Sequence, residues 1–269
     1  MFNQIKHTLQ QIFWAALAGA CLAVNAQEPA PPQAAPTIDF TVVRILPHDP
    51  SHYTEGLLLH GGKLIESVGH YGRSALHELD LASGHSLKTI LVPDRYFAEG
   101  IALSSGRLVQ LTWREETALI YDAALRSVGF IHYDGEGWGL ASTNIANELV
   151  MSDGSSDLRF VDASDLRTKR KIRVHDGPRE IYRLNELEYA DGSIYANIWL
   201  TDQIARIDPH DGRVIGWLDL SKLRQHFTPP PGWNEVDDVP NGIAYDPASG
   251  HFYVTGKCWP ALFEIAIKK

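Results

Sequence analysis

A short unit is written five times along this chain, and it constrains the fold more than any other feature. Each copy opens with a polar or aromatic residue ahead of an apolar segment, crosses a turn and enters a second apolar segment. The copies begin at Glu55-Gly56-Leu57, Glu99-Gly100-Ile101, Trp138-Gly139-Leu140, Asn185-Glu186-Leu187 and Asn241-Gly242-Ile243. Their second segments end 14 to 16 residues later, at Gly69, Trp113, Gly154, Trp199 and Lys257. A repeat of this kind belongs to an array of equivalent modules rather than to a single layered core.

Each copy reads as a run of short strands. Residues 56–59 and 63–68 flank Gly61-Gly62, and residues 75–81 and 87–92 follow. Ser105-Gly106, Asp191-Gly192 and Asp211-Gly212 punctuate later copies, and such two-residue turns are the hairpin signal. No stretch sustains helical periodicity, so the chain reads as all-β. The fifth copy holds only three strands, while residues 40–46, rich in β-branched side chains, form an unmatched strand at the start. A circular array needs closure, and one strand completing the last sheet removes two free edges. The expectation is a five-bladed β-propeller closed by its N-terminal strand. Residues 221–239, which include Pro229-Pro230-Pro231-Gly232-Trp233, read as a loop over one face.

Three regions follow: a signal peptide over 1–26, a flexible leader over 27–37 and one propeller domain over 38–269. Lys6 and His7 precede an apolar run over residues 12–24, and Val24-Asn25-Ala26 supplies small residues for cleavage. That run is too short for a membrane span. The chain is expected in the periplasm or secreted. Ala18-Gly19-Ala20-Cys21 departs from a lipoprotein box because Ala18 stands where Leu is usual. Cleavage leaves Cys258 as the sole cysteine, so no internal disulfide forms. With 24 Lys and Arg against 33 Asp and Glu, a net charge of −9 and no basic run, nucleic acid is not a partner.

In an antiparallel hairpin the start of one strand lies beside the end of the next. Glu55 is therefore set against Gly69, Glu99 against Trp113, Trp138 against Gly154, Asn185 against Trp199 and Asn241 against Lys257. With the first strand of each blade innermost, these positions ring one mouth of the central channel. Singly, each has a bland reading: a solvated rim acid, a turn amide or an indole packed between blades. Together they are two carboxylates, two amides, an ammonium and three indoles, which points to an asymmetric ligand. Two carboxylates on adjacent blades raise the pKa of one, as proton transfer requires, and three indoles at one mouth suit a cage. No His-Glu-x-x-His pattern, phosphate loop or Gly-x-Ser-x-Gly elbow occurs, so no catalytic metal ligands are assigned.

The motifs His52-Tyr-Thr-Glu-Gly-Leu57, Tyr96-Phe-Ala-Glu-Gly-Ile101, Gly135-Glu-Gly-Trp-Gly-Leu140, Asn185-Glu-Leu-Glu-Tyr189, Ala196-Asn-Ile-Trp199 and Thr255-Gly-Lys-Cys-Trp-Pro260 resemble those of plant- and bacterial-type glutaminyl-peptide cyclotransferases. The resemblance runs in order over residues 40–267. It implies a five-bladed propeller that converts N-terminal glutamine of peptides and proteins to pyroglutamate with release of ammonia. It also implies that no catalytic zinc is required, and leaves open a structural divalent ion lower in the channel. On this resemblance Glu99 is the proton shuttle, and Asn185 and Lys257 match catalytic Asn and Lys positions. Trp113, Trp138 and Trp199, with Phe97 and Tyr53, wall the glutaminyl side chain. Plant members carry Phe-Thr-Gln-Gly where this chain has Tyr53-Thr54-Glu55-Gly56, so Glu55 adds a second carboxylate to the catalytic set.

Two other readings use the same residues. A lactonase-like hydrolase would gather Glu99, Asn185, Asn241 and Asp153 around a divalent ion, against which the Lys257 ammonium weighs. A non-catalytic propeller would bind glutaminyl N-termini without turnover.

Overall fold

The computed structural model describes residues 34–268. The signal-peptide region and most of the leader lie outside the described residues. Strand β1 (Phe40–Pro47) is followed by β2 (Thr54–His60), β3 (Lys63–Val68), β4 (Ala75–Asp80) and β5 (Ser86–Leu91), which form blade 1. Blade 2 comprises β6 (Ala98–Ser104), β7 (Arg107–Thr112), β8 (Thr117–Tyr121) and β9 (Ser127–His132). Blade 3 comprises β10 (Leu140–Ser142), β11 (Glu148–Met151), β12 (Asp157–Asp162) and β13 (Thr168–Arg173). A hairpin of β14 (His175–Asp176) and β15 (Arg179–Glu180) leads into blade 4, which is β16 (Leu184–Ala190), β17 (Ser193–Ile198), β18 (Gln203–Ile207) and β19 (Val214–Asp219). A 3-10 turn at Ser221–His226 precedes β20 (Pro240–Asp246), β21 (His251–Gly256) and β22 (Ala261–Ile267).

Those last three strands take β1 as their fourth, in the order β1-β22-β21-β20, with Phe40 opposite Ile267 and Pro47 opposite Ala261. The N-terminal strand therefore closes blade 5, as the strand count requires. The innermost strands β2, β6, β10, β16 and β20 each pack on the two neighbouring inner strands and close a circle.

The core repeats as the blades do. Each blade alternates side chains between its two faces, and each face meets the next blade. Ile65 and Leu76 of blade 1 thus pack with Ile101 and Leu108 of blade 2, and Leu57 and Leu64 pack with Ala244, Tyr253 and Leu262 of blade 5. Corresponding clusters fill the remaining three interfaces.

Two segments are more structured than their composition foretells. Residues 35–37, read from the sequence as the end of a flexible leader, are held by the β14–β15 hairpin and by blade 4: Ala35 N donates to Asp176 Oδ1 at 2.8 Å and Trp217 N donates to Pro36 O at 2.9 Å. The 221–239 insertion is not an open loop. Phe227 packs on Trp233, Trp259 and Phe263, and Trp259 Nε1 donates to Asp238 O at 3.0 Å. This anchorage brings Asp237 to the mouth of the channel.

Candidate active site

The site is built at the starts of the inner strands, where one irregularity recurs. In blade 2, Ala98 pairs with Thr112 but Ile101 with Gln110, so Glu99 and Gly100 together face one residue of the partner. Asn185 and Glu186 do the same in blade 4, Asn241 and Gly242 in blade 5, and in blade 1 Glu55 is the extra residue between the Thr54–Val68 and Gly56–Ser67 pairs. A β-bulge re-aims the side chain it carries, and here it recurs at the polar residue of each of these four copies.

The bulge and the register of the hairpin turn together correct the pairing read from the sequence, by one position each. Gly69 N donates to Tyr53 O, Trp113 N to Phe97 O and Trp199 N to Arg183 O, each at 2.9 Å, and Lys257 N donates to Val239 O at 3.0 Å. Each strand end thus lies beside a residue two positions earlier than expected. In blade 3, Trp138 N donates to Ser152 O at 3.0 Å, while Gly154 N donates to Leu184 O of blade 4 at 3.2 Å. An added Cβ on Gly69 would stand 2.4 Å from the Phe97 ring, and one on Gly154 2.6 Å from the Trp138 ring. These two copies end in glycine because an aromatic ring lies against the backbone.

The result is one cavity of about 250 Å³. Glu55, Glu99, Asn185 and Lys257 line it, together with Tyr53, Phe97, Trp113, Trp138 and Trp199. His70 and Asp237, which the sequence reading does not single out, join them. Asn241 stands behind the lining: its Nδ2 donates to Glu55 Oε2 at 2.9 Å and to Thr54 O at 2.9 Å.

Glu99 is 5% exposed, and among the described residues no group donates a hydrogen bond to its carboxyl. Burial, then the Glu55 charge, push it well above the ordinary carboxylate range; Lys257 opposes this and Glu136 and Glu115 add to it. Glu55 is different. Its Oε1 accepts from Lys257 Nζ at 2.6 Å while Oε2 accepts from Asn241. Burial pushes Glu55 up to about 7, against the pull of Lys257. The Lys257 ammonium also sits 4.1 Å from the centroid of the Tyr53 ring. Asn185 is 3% exposed and its Oδ1 has no partner among the described residues. A buried polar atom without a partner calls for a ligand or water.

The aromatic residues form a belt. Tyr53 meets Phe97 edge-on at 6.3 Å between centroids, Phe97 meets Trp113 at 5.6 Å, and Trp138 meets Trp199 at 5.4 Å. Two gaps remain in that circuit, and a carboxylate fills each. Glu136 Oε2 accepts from Trp113 Nε1 at 2.9 Å and Trp138 Nε1 at 3.0 Å. Asp237 accepts from Trp199 Nε1 at 3.3 Å through Oδ1 and from the Tyr53 hydroxyl at 2.7 Å through Oδ2.

The metal-ligand set of a lactonase-like site does not assemble. Asp153 is not part of the cavity lining; it accepts from Ser155 and lies 3.6 Å from Arg159 Nε. Asn241 is engaged with Glu55.

Among the described residues one cluster, His48, His52 and Glu66, places ligand-type atoms within 4.8 Å of one another. It is wholly buried and lies outside the cavity lining. Its atoms are already at hydrogen-bonding distance: His48 Nε2 is 3.0 Å from Glu66 Oε1 and His52 Nδ1 is 2.7 Å from Glu66 Oε2. His48 Nδ1 stands 2.6 Å from Trp259 O. Burial pushes Glu66 up, but the His48 and His52 rings outweigh it and hold the carboxyl well below its usual range. The donor set fits a buried ion network bracing the segment that follows Lys257.

A five-bladed propeller whose mouth joins a desolvated carboxyl, a lysine–carboxylate pair, an amide oxygen without a partner among the described residues and an aromatic belt is a scaffold for acyl chemistry on a small side chain. The glutamine cyclotransferase family model matches residues 13–267, and the chain belongs to that family. It is 40% identical over 236 residues to the glutaminyl-peptide cyclotransferase of Arabidopsis thaliana, covering 86% of this chain and 72% of that one. The crystal structure of Myxococcus xanthus glutaminyl cyclase superposes with a TM-score of 0.79 at 34% identity, over 87% of this chain and 98% of that one.

Proposed function

We infer that this protein is a glutaminyl-peptide cyclotransferase, converting the N-terminal glutamine of peptides and proteins to pyroglutamate with release of ammonia. The observation that carries the mechanism is Glu99, a buried carboxyl with no hydrogen-bond partner among the described residues, facing a cavity of side-chain size. The glutaminyl side chain enters the aromatic belt, which excludes water and holds α-amine and amide in a cyclising pose, itself a large part of the rate. A free α-ammonium titrates near about 8, and raising the Glu99 carboxyl narrows the gap across which the proton moves.

Glu99 accepts the proton from the α-amine. The amine nitrogen bonds to the side-chain amide carbon, and the carbonyl oxygen gains negative charge. Lys257 and the Asn185 amide are the groups suited to that charge. Glu99 returns that proton to the amide nitrogen, and the carbon–nitrogen bond breaks to free ammonia. Glu99 takes the remaining extra proton from the attacking nitrogen and passes it to the departing ammonia, which leaves as ammonium. Glu55 holds Lys257 in place and contributes charge beside Glu99. None of these steps is routed through a metal.

Mass spectrometry of a glutaminyl peptide, with an N-acetylated copy as control, tests the reaction. Loss of one ammonia from the free peptide alone is expected; no loss from either rejects the assignment. The signal-peptide reading adds a second test. Cleavage after Ala26 exposes Gln27, so protein recovered from the periplasm or medium begins at residue 27 with that glutamine cyclised. An uncleaved chain rejects the export reading.

A further inference from the structure

We propose that Glu136 and Asp237 are positioning residues that close the aromatic belt of the active site, each tying together walls that different blades supply. Glu136 joins the Trp113 indole at the end of β7 to the Trp138 indole before β10, and so links blades 2 and 3. Asp237 joins Trp199 after β17 to Tyr53 before β2, linking blade 4 to blade 1. Ring contacts span the rest of the circuit: Tyr53 on Phe97, Phe97 on Trp113, and Trp138 on Trp199. Without the two carboxylates, two steps of the belt have neither ring contact nor hydrogen bond among the described residues.

Chemistry favours carboxylates at these points. An indole N–H only donates, so two facing indoles cannot satisfy each other. A carboxylate between such partly buried donors satisfies them and ties the two rings together. Both clamps are buttressed from below. Arg159 of β12 donates to Asp134 O at 2.8 Å and to Glu136 O at 2.7 Å, fixing the turn that presents Glu136. The Asp237 turn is held by Asn234 N to Asp238 Oδ2 at 2.7 Å and by Asp238 N to Asn234 O at 2.8 Å. A site that relies on ring planes at fixed positions needs such support, because small displacements are costly to a cyclising pose.

The proposal rests on the cyclotransferase reading of the cavity, so the experiment separates the two. Steady-state kinetics on a glutaminyl peptide are compared for wild type, Glu136→Ala, Glu136→Gln, Asp237→Ala and Asp237→Asn, alongside the indole N–H resonances of Trp113, Trp138 and Trp199. The alanine variants are expected to lower kcat/KM by about tenfold to a hundredfold and to shift the resonances of the indoles they release. Each amide keeps an oxygen where an indole donates, so Glu136→Gln and Asp237→Asn recover most of the lost rate and retain the wild-type resonances. Wild-type kcat/KM in both alanine variants overturns the proposal. Amide variants as impaired as alanine with resonances unchanged also overturn it, since charge rather than position would then be at work. Absence of turnover in wild type rejects the reaction instead, and the resonances still report on the clamps.

Discussion

Glu99 and Glu55 are buried glutamates in the same cavity, yet their neighbours set them apart. Glu55 has both oxygens engaged, by Lys257 and Asn241, whereas Glu99 has no hydrogen-bond donor among the described residues and faces the cavity. The Glu55 charge is the largest influence raising Glu99 after burial. Glu55→Gln therefore lets Glu99 ionise at lower pH, and the acidic limb of the pH–kcat/KM profile moves down. An unshifted limb removes the electrostatic coupling. Lys257→Ala deletes the cation suited to the developing oxyanion and leaves Glu55 buried without its countercharge; a fall in kcat of about 10²–10³ is expected, and a change confined to KM contradicts the role. These residues were legible in the sequence because each breaks the self-similarity of a repeat. Glu136 and Asp237 were not. Glu136 lies within the quoted Gly135–Leu140 motif but outside the compared positions, and Asp237 lies in an insertion whose folding against Trp259 no local pattern reveals.

At the scale of elements, the strands and hairpins were readable because Gly61-Gly62, Ser105-Gly106 and Asp191-Gly192 each place two successive residues at positive φ, the geometry of a tight hairpin turn. The bulges were not readable, since an extra residue leaves no mark on apolar alternation as short as three residues. The bulge accounts for one of the two positions by which the expected partners of Glu55, Glu99, Asn185 and Asn241 were misplaced, and the register set at the hairpin turn for the other, while the residues still converged on one mouth. Gly154 tests the close approach directly. It has φ of +79° and its hydrogen faces the Trp138 ring. Gly154→Ala is expected to destabilise the protein by about 1–3 kcal/mol and to raise KM by displacing that ring, measured by denaturant unfolding and steady-state kinetics. Unchanged KM separates Trp138 from substrate binding.

For the whole molecule, circular closure explains how an unpaired first strand and an incomplete last repeat become one sheet, and both were visible in the strand count. Closure also buries charge. Glu99 and Glu186 are held well above their ordinary range, Glu188 is pushed up to about 8 and Glu55 to about 7, burial being the leading cause in each. In the unfolded chain these groups ionise near about 4.5, so over the intervening pH range the folded protein binds more protons and stability falls as pH rises. His48, raised by Glu66 despite burial, acts in the same direction. His70 and His77, lowered by burial, act oppositely, but only up to the ordinary histidine value. Above about pH 6.5 the carboxylates and His48 are what remain among the described residues, and the melting temperature is expected to decline from there to about pH 8; a flat or rising profile contradicts the buried protonated carboxyls. A chelator is expected to leave both turnover and melting temperature unchanged, whereas a lowered melting temperature would make His48, His52 and Glu66 an ion site. The central claim is that Glu99 carries the proton between amine and leaving group. It is tested most directly by the rate of ammonia release from a glutaminyl dipeptide, comparing wild type with Glu99→Gln. The account predicts a loss of about 10²–10⁴ in kcat for the variant, with the fold retained; wild-type turnover by Glu99→Gln would contradict it.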